Sequence, residues 1–173
     1  GGTTGMGASA GTLSLQQGHI TGQQRRPGGS AGIGLALGNA CNAALRGVAI
    51  LKSGKHGILT GGSGTHLDAE NLLVAEVDTG ELPALGTGVA IGDGASAAIR
   101  ATRVYRAGAV GVHAYGKGSA LRMAGALVDA TQGGAQALGV GLAATNGATV
   151  QLAGSRSHGN VGGGLASMSG AAF

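Results

Sequence analysis

Charged side chains that could form a binding or catalytic face are few in this sequence. Asp68, Arg100 and Arg122 fall at equivalent places in successive copies of a recurring pattern, and Glu70 lies two residues after Asp68. We predict that these side chains form an exposed ion-pair ladder, with binding of an anionic sugar and catalysis as the alternatives. A calcium site requires six to eight oxygens and glycoside hydrolysis requires paired carboxylates, whereas the chain has seven Asp and Glu in all. Asp68, Arg100 and Arg122 are therefore candidate ligand-binding residues, and no catalytic residue is predicted.

Other residue types with chemical potential are scattered. Cys41 is the single cysteine, so no disulfide can form within the chain, and we interpret it as a small turn or core residue. The strings of the Gly-x-Gly-x-x-Gly type lack the following helix that a dinucleotide fold requires. We predict neither a metal site nor a cofactor, because no His-x-His or His-Glu-x-x-His spacing joins the five histidines, His19, His56, His66, His113 and His158.

The composition excludes several classes of protein. Glycine supplies 39 of 173 residues without a Gly-X-Y period, which excludes collagen. Disorder is disfavoured because 43% of the residues are hydrophobic and 10% are charged. The net charge is +4, but three aromatic residues are too few for a base-stacking platform, so we predict no nucleic-acid partner. No apolar run approaches the roughly 18 to 20 residues of a membrane-spanning helix.

Two landmarks recur along the chain. One is glycine followed by alternating apolar residues, as in "GILTGG" at 57 and "GVAIGD" at 88. The other reads apolar, x, apolar, x, x, apolar, x, apolar, in six copies that begin at 13, 43, 67, 99, 121 and 150. The period of two indicates strands, and the x-x break indicates a corner between two of them. Aligned on these starts, the first inward column is Leu13, Ala43, Leu67, Ile99, Leu121 and Val150.

This alignment also places Arg106 in the fourth inward column. A buried, unpaired guanidinium is very costly, so we expect either a local bulge that turns it outward or an error of register at this copy.

The spacing between copies alternates between long and short. The extra residues lie in "TGQQRRPGG" at 21–29, "DTGELPALG" at 78–86 and "DATQGGAQA" at 129–137. Loops on a rigid scaffold often bind ligands, which makes Arg25 and Arg26 further candidate ligand-binding residues. The alternative is tolerated drift in loop length. Residues 1–10 are predicted to end a preceding turn and residues 11–173 to form a repeat segment cut at both ends, with Phe173 beginning a further first-column position.

The repeat resembles the right-handed parallel β-helix of the pectin-lyase-like superfamily. The resemblance lies in two or three short strands per turn, turns of 22 to 32 residues, the Gly-led strands and Gly-x-Gly corners such as "GDG" at 92. The closest resemblance is to glycine- and alanine-rich repeats of bacterial secreted and cell-surface proteins, and "LSLQQGHITG" is similar to autotransporter passenger domains of the pertactin type. The resemblance implies an all-β, single-stranded parallel β-helix of about six turns, located outside the cell or at its surface.

Two functions remain open on this basis. The first is a non-enzymatic structural or adhesive segment, with an anionic polysaccharide or a cell-surface glycan as its partner. The second is a fragment of a carbohydrate-active enzyme, either a polysaccharide lyase or a glycoside hydrolase. Because the end repeats lack polar caps, we also expect the isolated segment to associate end to end.

Overall fold

The structure is a computed structural model that describes residues 3–21, 32–78, 86–133 and 139–173. Within these ranges the chain forms strands and no helix, and every strand pairing is parallel. None of the described residues forms a helix long and apolar enough to cross a membrane. The strands are β1 (Thr3–Gln16), β2 (His19–Thr21), β3 (Gly32–Arg46), β4 (Ala49–Leu51), β5 (His56–Gly61), β6 (His66–Glu70), β7 (Leu73–Val77), β8 (Thr87–Gly92), β9 (Ser96–Arg100), β10 (Arg103–Ala107), β11 (Val110–Tyr115), β12 (Ala120–Ala124), β13 (Leu127–Asp129), β14 (Val140–Thr145), β15 (Thr149–Ala153), β16 (Arg156–His158) and β17 (Gly163–Met168).

These strands stack in three parallel ladders. Ladder A contains β6, β9, β12 and β15, and ladder B contains β2, β4, β7, β10, β13 and β16. Ladder C contains β5, β8, β11, β14 and β17. The long strands β1 and β3 bend across two ladders: the second half of β3 pairs with β6 in ladder A, and its first half pairs with β5 in ladder C. The chain passes from C to A to B repeatedly, which confirms an all-β fold consistent with a parallel β-solenoid.

The core is built from apolar columns that run through the stack. In ladder A the first inward column is Leu13, Ala43, Leu67, Ala97, Leu121 and Val150. In ladder B the corresponding column is Ile20, Ile50, Val74, Val104, Val128 and Ser157. Leu67, Val74 and Leu121 are 0–1% exposed, so stacking of like side chains forms the continuous core that the alternation predicts.

One copy was placed two residues out of register by the sequence alignment. Ala97, not Ile99, occupies the first column, and Ile99 pairs with Ala69 and Met123 in the second. The fourth position of that copy is therefore Val104, which is buried, whereas Arg106 is exposed. The inward placement of Arg106 is wrong through an error of register, because the pattern tolerates Ala and Ile at either place. Long and short spacings between first-column residues still alternate after this correction.

A glycine near the start of β3 and of the ladder C strands β5, β8, β11 and β14 has a packing role. Gly34, Gly57, Gly88, Gly111 and Gly141 each face the inward column of ladder B. A Cβ on Gly88 would collide with Val104 Cγ1 and would lie 2.5 Å from the carbonyl oxygen of Gly111. Only glycine lets ladder B close against ladder C at this distance, which explains the recurrence of glycine before the alternating apolar residues.

The corner between ladders A and B recurs with a left-handed backbone. Gln17, Gly47, Asn71, Ala101 and Gly125 occupy it, with φ between +45° and +62°. The amide of each donates a hydrogen bond to the end of the ladder A strand in the next repeat, as from Asn71 N to Arg100 O at 3.2 Å. Glycine and asparagine suit this conformation, whereas Ala101 adopts it at a steric cost. This corner is the x-x break of the sequence pattern.

Candidate functional site

An ion-pair cluster on the outer face of ladder A is centred on Asp68. Its Oδ2 is 2.5 Å from Arg46 Nη2, and its Oδ1 is 2.7 Å from Arg100 Nη2. Arg46 also approaches Glu70, with Nε 3.5 Å from Oε2, and its Nη1 donates to the Asp68 carbonyl oxygen at 3.0 Å. The hydrogen bond from Arg46, aided by the charge of Arg100, lowers the pKa of Asp68. Asp68 is therefore an ionised anchor between two guanidinium groups.

The predicted ladder of Asp68, Arg100 and Arg122 is brought together only in part. Asp68 and Arg100 lie on neighbouring strands and form an ion pair, but Ala98 is the residue in register with Asp68 and with Arg122. Arg122 is exposed on β12 and forms no ion pair with any described residue. The two-residue register error accounts for the difference.

Arg46 was missed by the sequence analysis, although a signal for it exists. It lies in the outward column that follows the predicted one, in register with Glu70, which is in turn in register with Arg100. A column that alternates basic, acidic and basic residues indicates such a cluster once the register is correct.

A second cluster lies on the outer face of ladder B. Arg103 donates to Asp129 from Nη2 at 2.8 Å and from Nε at 3.3 Å. The hydrogen bond from Arg103 to Asp129 raises the pKa of the guanidinium, so it stays charged. Arg103 Cζ also lies 4.7 Å from the centre of the Tyr105 ring, and Arg106 Cζ lies 5.9 Å from it. Tyr105 thus has guanidinium groups of Arg103 and Arg106 close to its ring.

Arg106 is the penultimate residue of β10 and lies beside a shallow groove. Its φ of +54° turns the side chain away from the core. The groove has a volume of about 320 Å³ and is lined by Glu76, Val77, Asp78, Arg106 and Gln132. Among the described candidates from the sequence, Asp68, Arg100 and Arg122 do not line this groove. Arg106 was not a candidate because the alignment placed it in an inward column.

Two partly buried histidines, His56 and His113, lie on ladder C. His56 lies on β5, and its Nδ1 is buried without a hydrogen-bond partner among the described residues. Burial, then Lys55 and His113, lower the pKa of His56 from 6.5 to about 4. His113 accepts or donates a hydrogen bond with Thr145 Oγ1 at 3.0 Å, and its ring centre is 5.2 Å from that of Tyr115. Burial lowers the pKa of His113.

The other residues singled out from the sequence are Arg25, Arg26, Cys41 and the histidines. Arg25 and Arg26 lie outside the described residues. Cys41 is a buried free cysteine, as expected of a small core residue. Among the residues that the structure describes, no three His, Cys, Asp or Glu side chains come together in a way that could hold a metal ion.

No family model, curated protein or solved structure matches this chain. The parallel ladders agree with the β-solenoid architecture that the repeat pattern predicts. The assignments to the pectin-lyase-like superfamily and to the pertactin type stay predictions.

Proposed function

We propose that this chain is a segment of a right-handed, single-stranded parallel β-helix, of about six turns that alternate between long and short. Its role is structural or adhesive, in a bacterial protein that is secreted or displayed at the cell surface. The observation that carries the proposal is the continuous stack of parallel ladders, which fixes outward side chains at the strand spacing of ~4.8 Å. Such a scaffold presents the same kind of face to a long polymer over many repeats.

The state of the outward carboxylates supports a non-enzymatic role. A glycosidase requires one carboxyl group whose pKa is raised so that it can donate a proton. Asp68 has the opposite perturbation, since two arginines hold it ionised, and Asp129 is bound by Arg103. Both carboxylates are engaged in holding guanidinium groups at the surface.

The proposed partner is an anionic polysaccharide or a glycan of a host or cell surface. The test is to measure retention of the purified chain on polysaccharide-coated surfaces and, in parallel, the release of reducing ends or unsaturated products from the same polysaccharides. We expect retention without turnover.

The alternative function is a carbohydrate-active enzyme. Product formation that scales with protein concentration, and that is lost in D68N or D129N while the variants stay folded, would support this alternative and reject the adhesive role. The matched control is D93N, because Asp93 is an exposed carboxylate outside both clusters.

A further inference from the structure

The net positive charge of this protein comes from the last part of the sequence. Residues 1–102 contain six Lys and Arg and six Asp and Glu, so they are neutral overall. Residues 103–173 contain five basic residues and a single acidic one, Asp129, and thus hold the whole net charge of +4. A charge asymmetry of this size between two parts of a chain indicates an anionic partner. The five basic residues are Arg103, Arg106, Lys117, Arg122 and Arg156.

The ladders bring most of these arginines to adjoining outer faces. Arg103 and Arg156 share one outward column of ladder B, with Leu127 between them. Two strand steps of ~4.8 Å place their backbones about 10 Å apart. Arg106 extends this face near the end of β10, and Arg122 lies on β12 of ladder A, the strand that leads into β13.

Within the described part of the chain, three of these guanidinium groups have no carboxylate partner. Arg106, Arg122 and Arg156 are exposed and form no ion pair with any described residue. By contrast, Arg100 and Arg103 each form an ion pair with one carboxylate, and Arg46 forms ion pairs with two. Guanidinium groups form paired hydrogen bonds with oxyanions, so several unpaired guanidinium groups on adjoining faces fit a ligand that carries repeated anionic groups.

We infer that the outer faces of β10, β12, β13 and β16 form a binding surface for a polyanionic glycan, which contacts Arg106 and Arg156 on ladder B and Arg122 on ladder A. Arg103 and Tyr105 support this surface, because Asp129 fixes the guanidinium of Arg103 over the Tyr105 ring. The inference rests on the proposed adhesive function and identifies its partner and its location. Proteins that bind single-stranded nucleic acids stack the bases on aromatic side chains. Tyr105 is the one Phe, Tyr or Trp among the described residues of these two outer faces, and Arg103 already occupies one side of its ring. A glycan is therefore favoured over a single-stranded nucleic acid.

The test uses fluorescent oligosaccharides of equal length and the intact chain. Heparin hexasaccharide carries sulfate and carboxylate groups, hyaluronan hexasaccharide carries carboxylates alone, and a dextran oligomer is neutral. We expect binding of heparin, with an affinity that falls as the salt concentration rises, and no binding of dextran. We expect weaker binding of hyaluronan than of heparin, because hyaluronan carries fewer anionic groups on each sugar.

The decisive comparison is between two double variants of equal charge. R106Q/R156Q removes two unpaired arginines from the surface, and K52Q/K55Q removes two lysines from the neutral part of the chain. We expect the first to weaken heparin binding roughly tenfold and the second by less than about twofold. Circular dichroism and the urea midpoint show whether both remain folded, and R122Q provides a second variant at an independent position.

Four outcomes would overturn the inference or the function on which it rests. Equal losses in the two double variants would mean that binding follows net charge and not this surface. Tighter binding of oligo-dT, or of vesicles rich in phosphatidylserine, would assign the surface to a nucleic acid or to a membrane. If the chain is retained on a neutral polysaccharide and R106Q/R156Q leaves this retention unchanged, the proposed surface is rejected but the adhesive function is not. Turnover of the glycan would reject the adhesive function itself.

Discussion

Acidification should destabilise the fold through His56, and the effect can be isolated by substitution. The side chain lies on β5, in register with Ile33 and Thr87, and its Nδ1 is buried with no hydrogen-bond partner among the described residues. Protonation of the ring would place a positive charge in this site beside Lys55. The neutral form is therefore the one that the folded chain accommodates.

The magnitude follows from the pKa of His56, which burial lowers from 6.5 to about 4. Because the folded pKa lies below the unfolded one, the unfolded chain binds the proton more readily between these two values. Stability is unaffected above pH 6.5, falls as the pH decreases from 6.5 to 4, and shows no further loss from this residue below pH 4. At ~1.4 kcal/mol per pH unit, the loss amounts to about 3 kcal/mol.

The assay is urea denaturation of the wild type and of H56L at pH 7.5, 5.5 and 4. The difference in unfolding free energy between the two proteins should shift by about 3 kcal/mol in favour of H56L between pH 7.5 and 4. H158L is the matched control, because His158 is exposed on β16. A pH profile of H56L that runs parallel to that of the wild type would refute the reasoning.

Three further predictions concern packing. G88A should lower the unfolding free energy by about 3 kcal/mol, because the added Cβ would collide with ladder B. G125A should lower it by about 1 kcal/mol through its left-handed backbone alone, because nothing lies within 4 Å of the added Cβ. Equal losses of unfolding free energy in urea denaturation would contradict the close approach of ladders B and C. A101G should raise the melting temperature, because a φ of +45° strains alanine; a lower value would contradict this strain. Leu165 is 55% exposed at an apolar end of the stack, where we expect two copies of the chain to associate. L165S should therefore reduce the sedimentation coefficient measured at high protein concentration. A wild-type protein that stays monomeric across the concentration range would contradict the prediction.

The strands and most of the inward columns could be predicted from sequence because period-two alternation and left-handed corner residues are local signals. The parallel pairing was predicted from the resemblance of the repeat to a parallel β-helix. The register of the copy at 97–107 could not be predicted. The alignment that begins at Ala97 and the one that begins at Ile99 are equally apolar, because Ala97, Ile99 and Ala101 are all apolar. Only the pairing of whole strands across ladder A separates them.

That ambiguity determined what could be said of the candidate site. The Asp68–Arg100 pair was found because a diagonal contact between neighbouring strands survives a two-residue shift. Arg106 was missed because its exposure depends on the register itself, whereas Arg46 was missed because it lies in the outward column that follows the predicted one. The role of the glycine near the start of the ladder C strands β5, β8, β11 and β14 was also hidden, since it arises from contact with a strand of ladder B further along the chain, as between Gly88 on β8 and Val104 on β10.

The register of ladder A is tested most directly by cysteine cross-linking in a C41A background. The structure aligns Ala98 with Arg122, which places their Cα atoms about 5 Å apart, within the range for a disulfide. Arg100 and Arg122 are offset diagonally by two residues, at about 8 Å, beyond that range. A98C/R122C should therefore oxidise rapidly to an intramolecular disulfide, and R100C/R122C should remain largely reduced. The reverse order of reactivity would contradict the stacking and, with it, the outward position of Arg106.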